Sequence, residues 1–307
     1  MLWRHDPLTD RTVRLAAGRV QRPSDFDDPR GPPTRCPFCA GAEQDTPAER
    51  LRIAGGRGGW LTRVVDNLYP IVEADGGAHE VVVESPRHVR RLVDLTDEET
   101  HSAAAAWFGR LAALQAEGLD YGLVFKNEGP LAGATLEHVH SQVVALRSTP
   151  AQVEAMWRRV AAGGLAGGAS VYEADGLRVI APPAPRVAYE AWIAPAAGGP
   201  TVGEVAADPL AAARVGGLVR RVAGVATGLA AAPALNLVLQ APPRAYDSSP
   251  WWLEVLPRRG LAAGFEIATG VWVNSVDPET AAAALAEALN SPDRPKGDPA
   301  GRRRYNS

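Results

Sequence analysis

The sequence predicts an α+β fold of two similar units, each an antiparallel sheet with flanking helices. Three observations predict it. The 307 residues suit two domains of ordinary size. Short β-rich runs alternate with longer helical stretches, and their order is the same in both halves. We expect an N-terminal unit at 1–165, a C-terminal unit at 166–290 and a disordered tail at 291–307, which is rich in Pro, Gly and Arg.

The first half begins with an arm of about forty residues, rich in Arg, Pro and Asp, that ends at a pair of cysteines. Runs of β-branched and apolar residues then predict strands at 60–65, 80–84, 121–127 and about 138–146. Ser85-Pro86 ends the second of these strands. Thr96-Asp97-Glu98-Glu99 matches a capping box and predicts a helix that runs to about Gly118.

The second half repeats this plan. Segment 189–195 echoes segment 79–86, and both are followed by a helix and two strands. The predicted elements lie at 189–195, about 209–229, 235–240 and 252–256. Asp277-Pro278-Glu279 begins a last helix, with a capping Asp and a Pro at the first helical position.

Composition excludes several classes of function. The net charge of −3 argues against a nucleic-acid or membrane-surface partner, since either would favour a basic patch. No run approaches the roughly 20 apolar residues that cross a bilayer, and the first residues lack the apolar core of a signal peptide. We therefore expect a cytoplasmic protein.

The two cysteines lie in Cys36-Pro37-Phe38-Cys39, a spacing suited to a metal or a redox pair. A redox motif would be expected beside a βαβ unit, which the flanking sequence lacks. Zn²⁺ prefers four ligands in a tetrahedron, and His88 and His138 are the natural third and fourth ligands. Such a set leaves no open position, so the zinc would be structural.

His138, His140 and Gln142 alternate along a predicted strand and therefore share one face. A solvent-facing polar stripe would give the same pattern. If His138 binds the metal, His140 remains as a nucleophile whose phosphoramidate is reactive enough to pass its group on. Gln142 would donate to a phosphoryl oxygen. The loop from Asn127 through Gly133 to Thr135 would present backbone N–H groups to phosphates.

Several motifs, taken in the order in which they occur along the chain, resemble the galactose-1-phosphate uridylyltransferase family of the histidine-triad superfamily. The motifs are Arg19-Val20-Gln21-Arg22-Pro23, the Cys36–Cys39 pair, Asn67-Leu68-Tyr69-Pro70, Ser85-Pro86-Arg87-His88, Phe125-Lys126-Asn127-Glu128-Gly129 and Gly133 to Gln142. The resemblance resumes at 190–195 and 264–266. It implies two histidine-triad-like units from an internal duplication, a homodimer and a ping-pong reaction. A nucleoside monophosphate would pass from a nucleoside diphosphate sugar to a sugar 1-phosphate or inorganic phosphate.

The resemblance also implies roles for individual residues. His140 corresponds to the nucleophile, Gln142 to the phosphate-contacting glutamine, and the Cys₂His₂ set to the zinc ligands. Further substrate-binding positions are Arg19, Arg22, Asn67, Asn127, Gly133, Thr135, Phe265 and Glu266. For the two arginines, an ordinary solvated basic face is the alternative, and for Glu266 a strand carboxylate paired with an arginine.

Some residues depart from the hexose-exchanging members of the family. Val139 and Ser141 replace a Pro and a Gly, and Phe265 replaces a tyrosine. Trp252 and Glu254 stand where some members have metal-binding histidines, so no second metal is expected. The Lys126-Asn127-Glu128-Gly129 loop, the Ser141-Gln142 pair and segment 264–266 look closer to the branch that includes ADP-glucose phosphorylase, whose members transfer adenylyl groups to inorganic phosphate.

Two alternatives remain open. One is a phosphorylase or hydrolase of dinucleoside polyphosphates, and the other is a non-catalytic zinc protein that binds nucleotides. The glutamine at position 142 resembles the transferase branch of the superfamily, whereas related hydrolases carry a histidine at this position. Lys126 is interpreted as a surface charge at the end of a strand, and His79 and His101 receive no role.

Overall fold

A computed structural model of the chain describes residues 2–6, 11–15, 25–26, 35–72, 76–165 and 167–291. The strands of this part are β1 (Leu2–Asp6), β2 (Arg11–Leu15), β3 (Glu49–Ala54), β4 (Trp60–Asp66), β5 (Gly77–Val83), β6 (Tyr121–Glu128), β7 (His140–Leu146), β8 (Ala169–Ala174), β9 (Leu177–Ala181), β10 (Ala191–Pro195), β11 (Ala234–Gln240) and β12 (Trp252–Arg258). The α-helices are α1 (Asp97–Ala116), α2 (Ala151–Gly163), α3 (Val202–Ala207), α4 (Pro209–Ala230), α5 (Gly264–Thr269) and α6 (Pro278–Asn290).

Ten of these strands form one antiparallel sheet in the order β3-β4-β5-β7-β6-β11-β12-β10-β9-β8. The order is symmetrical about the β6–β11 pair, in which Asn127 lies opposite Asn236. The path β4-β5-α1-β6-β7 in the first half returns as β9-β10-α4-β11-β12 in the second. The predicted α+β fold with duplicated antiparallel units is therefore confirmed.

Helices α1 and α4 cover one face of the sheet and pack against each other. The predicted capping box opens α1: the Thr96 hydroxyl accepts from the Glu99 N–H, and the Glu99 carboxylate accepts from the Thr96 N–H. The main hydrophobic core includes Trp107 of α1 and Val219 of α4 together with residues of both halves. Because the halves share one sheet and one core, the domain boundary near residue 165 stays a prediction. The predicted disordered tail lies outside the described residues, apart from Ser291.

The opposite face of the sheet carries the candidate site. There Phe38 of the arm packs with Trp60, Val65, Val81 and Val83 in a separate apolar cluster. Of these strand residues, Val65, Val81 and Val83 alternate with Val64 and Val82 of the main core, as the period of two in a strand requires. The arm is thus fixed over β4 and β5.

One predicted boundary is wrong. The strand expected from about His138 begins at His140. The two preceding residues bond instead to the segment after β5: the Val139 N–H donates to the Val89 carbonyl at 2.7 Å. None of the helices in the described ranges combines the length and apolar character that a membrane span needs.

Candidate active site and metal centre

The structure brings the four predicted metal ligands together. Their ligand atoms all lie within 4.8 Å of one another. Cys36 Sγ is 3.5 Å from His138 Nδ1, and Cys39 Sγ is 3.4 Å from His88 Nδ1. Bond lengths of about 2.3 Å to sulfur and 2.0–2.1 Å to nitrogen place the S and N atoms of a tetrahedral zinc site about 3.6 Å apart. The group therefore has the dimensions of a tetrahedral metal site.

The surroundings of His138 also suit a metal ligand. Its Nε2 lies 2.9 Å from the Ser85 carbonyl oxygen, so Nε2–H donates there and the lone pair lies on Nδ1, inside the cluster. Burial lowers the pKa of His138 to about 4, which keeps the imidazole neutral and able to coordinate. Burial raises the pKa of the Cys36 thiol to about 11, against the lowering effect of the Phe38 N–H. A bound cation would reverse that preference and hold the thiolate.

The turn that carries Ser85 and His88 is tied to the start of α1. The Ser85 hydroxyl donates to Glu99 Oε1 at 2.6 Å, and Arg87 Nε donates to the same oxygen at 2.9 Å. Burial raises the pKa of Glu99, but the bonds from Arg87, Ser85 and the Thr96 N–H hold it at about 2. One carboxylate thus caps the helix and fixes the loop that supplies a metal ligand.

His140 is buried beside this cluster, with 5% of its surface exposed. Its Nδ1 lies 2.7 Å from the His138 carbonyl oxygen, so Nδ1–H donates and the lone pair of the neutral ring lies on Nε2. The Phe38 ring contacts both histidines, at centroid distances of 5.9 Å to His138 and 5.5 Å to His140. The arm therefore fixes the metal cluster and His140 relative to each other.

Gln142 lies on the same face of β7 as His140 and is buried. Its Oε1 is 2.9 Å from His79 Nε2 and 3.4 Å from Asn67 Nδ2. Asn67, placed on the nucleotide side by the resemblance, is thus brought to Gln142. His79 joins them, although no role was predicted for this residue.

The predicted phosphate loop is held partly from the second half of the chain. Asn236 of β11 donates from its amide to Asn127 Oδ1 and to the Ala132 carbonyl, both at 2.9 Å. Gly133 adopts a φ of 79°, which favours glycine and turns the chain toward Thr135. The Thr135 hydroxyl is buried and has no hydrogen-bond partner among the residues that the structure describes. A buried hydroxyl of this kind is suited to a ligand.

Lys126 is not the surface charge that its position suggested. Its side chain is 2% exposed, and Nζ donates to Glu84 Oε2 at 2.5 Å and to the backbone carbonyl of His140 at 3.0 Å. Asn127 faces the candidate site, so Lys126, one residue earlier on β6, faces the helices. The ammonium lies under the backbone of His140.

Comparison with known proteins shows what this chain is similar to. The model of the galactose-1-phosphate uridyl transferase N-terminal domain matches residues 62–150. ADP-glucose phosphorylase from Arabidopsis thaliana is 29% identical to this chain over 92% of each protein. The chain is similar to proteins of the galactose-1-phosphate uridylyltransferase family. The resemblance drawn from the sequence is confirmed.

A solved structure and a second relative extend this comparison. A crystal structure of Arabidopsis thaliana ADP-glucose phosphorylase with bound ADP-glucose superimposes with a TM-score of 0.74, at 28% identity, over 93% of this chain and 98% of that one. Galactose-1-phosphate uridylyltransferase from Streptomyces lividans is 29% identical over 52% of this chain and 42% of its own length. The similarity to ADP-glucose phosphorylase therefore extends over much more of the chain.

Among the described residues, the predicted positions Phe265 and Glu266 do not join the site. Arg19 and Arg22 lie outside the described residues. Phe265 is 56% exposed on α5, and Glu266 accepts from the Ala263 N–H as a helix cap rather than pairing with an arginine on a strand. Neither Phe265 nor Glu266 makes a hydrogen bond, ion pair or ring contact with the residues around His140 in the described chain.

In the second half, Glu254 lies at the position where some family members have a metal-binding histidine. Glu254 and Glu190 are both buried, and Arg186 donates to each of them at 2.6 Å. These carboxylates raise the pKa of Arg186, although burial opposes the effect. The Trp252 N–H also donates to Glu254, at 3.0 Å. Here a guanidinium cross-links the two carboxylates.

Proposed function

We propose that this protein is a nucleotidyltransferase that forms a covalent nucleotidyl-histidine on His140. The Nε2 lone pair attacks the α-phosphorus of a nucleoside diphosphate sugar. The bond between that phosphorus and the bridging oxygen breaks, and the sugar 1-phosphate leaves with the electron pair. An oxygen of inorganic phosphate or of another sugar 1-phosphate then attacks the same phosphorus, and the P–N bond breaks to regenerate His140.

One observation carries this proposal: the His138 carbonyl fixes the tautomer of His140 that has its lone pair on Nε2. A histidine held in this way needs no other base to act as a nucleophile, because its neutral form carries the reactive pair. The neighbouring Gln142 amide supplies a donor for the charge that develops on the phosphoryl oxygens.

The remaining site residues have supporting roles in the proposal. Asn127, Thr135 and the backbone at Gly133 bind phosphate oxygens, and Asn67 lies on the nucleotide side. Arg19 and Arg22 would bring positive charge from the arm, while Phe265 and Glu266 would contact the sugar. The similarity to ADP-glucose phosphorylase over most of the chain favours an adenine nucleotide as donor and inorganic phosphate as acceptor.

Intact-protein mass spectrometry tests the proposal. The protein is incubated briefly and separately with ADP-glucose, UDP-glucose, GDP-mannose and diadenosine tetraphosphate, without acceptor. We expect a mass gain of one nucleoside monophosphate, largest with ADP-glucose, which peptide mapping assigns to His140 and added phosphate removes. An adduct from the tetraphosphate alone would favour the dinucleoside polyphosphate reaction. No adduct with any donor would refute nucleotidyl transfer.

We propose that zinc occupies the Cys₂His₂ group of Cys36, Cys39, His88 and His138 and has a structural role. Two thiolates and two neutral imidazoles balance the charge of Zn²⁺ and leave no open coordination position. They also suit a reducing compartment, in keeping with a cytoplasmic location.

We expect one zinc per chain, and we expect Cys39→Ser to lose most of it and to lower the melting temperature. Elemental analysis and thermal unfolding provide the measurements, with His101→Asn on α1 as a matched control away from the cluster. Full zinc content in Cys39→Ser would show that the metal is bound elsewhere.

A homodimer, implied by the resemblance, belongs to the same proposal. Large apolar side chains are exposed around α5 and support it: Leu261, Phe265, Ile267, Val271, Trp272 and Val273. Apolar surface of this extent is typical of an interaction site. Light scattering that gave the mass of a single chain, 32.4 kDa, would exclude the homodimer.

A further inference from the structure

We propose that His79 is a positioning residue that fixes which end of the Gln142 amide faces the substrate. The inference rests on the proposed function, in which Gln142 donates to the transferring phosphoryl group. His79 is buried on β5, with 5% of its surface exposed. Val81 lies opposite Gln142 in the β5–β7 ladder, so His79, two residues before Val81, is a diagonal neighbour of Gln142 on the same face.

The hydrogen bonds of His79 assign its tautomer. The Ile71 backbone N–H donates to His79 Nδ1 at 2.8 Å, and a nitrogen that accepts this bond cannot carry a proton. The neutral ring therefore has its proton on Nε2. That proton faces Gln142 Oε1, which lies 2.9 Å away. The backbone of the loop after β4 thus makes His79 a donor toward Gln142.

Asn67 supports the same orientation. Its Oδ1 accepts from the Tyr69 N–H at 2.8 Å, which turns its amide nitrogen toward Gln142 Oε1, at 3.4 Å, and toward His79 Nε2, at 3.1 Å. Two donors therefore converge on one oxygen of Gln142. If the amide were flipped, its NH₂ would face both of these donors and no acceptor, which is costly in a buried site.

The consequence concerns the transferring group. With Oε1 held by His79 and Asn67, the NH₂ of Gln142 points away from them and is available to a phosphoryl oxygen. An amide that presented its oxygen instead would repel the same group. His79 therefore acts through Gln142, by keeping a donor in place before the negative charge develops.

Two substitutions at His79 test this role. His79→Gln retains an N–H donor near the position of Nε2, whereas His79→Leu removes it at similar volume. We expect His79→Leu to slow formation of the His140 adduct about 10- to 100-fold, by analogy with the loss found when residues that orient metal ligands are removed. The KM for the donor should change little, and His79→Gln should retain most of the rate. Equal loss in both variants would overturn the proposal.

A double-mutant cycle separates positioning from general support of the fold. In a Gln142→Ala background, His79→Leu should cause no further loss of rate, because the group through which it acts is absent. An equal relative decrease in rate in both backgrounds would show that His79 acts independently of Gln142. Melting temperature and zinc content show whether each variant is folded.

The tautomer itself gives a readout that does not require activity. In ¹⁵N-detected spectra of the imidazole side chains, assigned by loss of the signal in His79→Gln, we expect protonated Nε2 and unprotonated Nδ1. A proton on Nδ1 would overturn the proposal, even in an active enzyme. If the wild-type protein forms no nucleotide adduct, the proposed function fails, and the spectra still decide whether His79 donates to Gln142.

Discussion

Replacing His140 with asparagine should abolish the covalent nucleotide and lower kcat by about 10⁴- to 10⁶-fold, the scale on which loss of a nucleophile acts in other enzymes. Asparagine keeps a polar side chain near Nδ1 and can still donate to the His138 carbonyl. It places no basic nitrogen at the position of Nε2. The variant therefore removes the attacking lone pair while the strand and the neighbouring metal cluster keep their structure.

The control for this variant is His101→Asn, which makes the same chemical change on α1. It should form the adduct at the wild-type rate. Zinc content and melting temperature of His140→Asn should also remain near those of the wild type, since His140 is not one of the clustered ligands. A persistent adduct in His140→Asn would assign the nucleophile to another residue, and a loss of zinc would show that the substitution disturbed the cluster.

Much of the fold was predictable because its signals are local. Strands β4, β6 and β11 show apolar or alternating patterns, and α1 begins with a capping box. The elements that the sequence did not predict have weaker signals. In β3, apolar Leu51 and Ile53 alternate with exposed charged residues, because this strand lies at an edge of the sheet. The alternative for Glu266 placed it on a strand, but segment 264–266 begins a short helix that Glu266 caps.

The candidate site was predictable to a similar extent. Spacing alone selected Cys36 and Cys39, whereas His88 and His138 were assigned because zinc prefers four ligands. His79 and Asn236 were missed, since their roles depend on which strands become neighbours in the sheet. Lys126 carried a usable signal: it alternates with Asn127, so the two cannot face the same side of β6. The sequence could not show that the acidic partner of Lys126 is Glu84, which directly follows β5.

The ion pair between Lys126 and Glu84 underlies the second large effect. We expect Lys126→Met to lower the free energy of unfolding by about 3–5 kcal/mol, the cost of leaving one member of a buried ion pair uncompensated. Glu84 is fully buried, and the substitution removes the ammonium that lies 2.5 Å from its carboxylate. Urea unfolding at neutral pH measures the change. The matched control is Arg50→Met, which breaks an exposed pair with Asp66 and should cost at most about 1 kcal/mol.

The double variant Lys126→Met/Glu84→Leu separates stability from catalysis. Replacing both charges by apolar side chains of similar size often restores the stability that one substitution removes. The free energy of unfolding should therefore return close to the wild-type value. The rate of adduct formation should not return with it, because Lys126 Nζ also donates to the His140 carbonyl and no side chain replaces that donor. A double variant with wild-type stability and a wild-type rate would show that the pair serves the fold alone. A single Lys126→Met variant no less stable than Arg50→Met would show that the buried pair stabilises the fold no more than an exposed pair does. If stability returns and the rate does not, the buried ammonium is required to hold the backbone of the nucleophile in place.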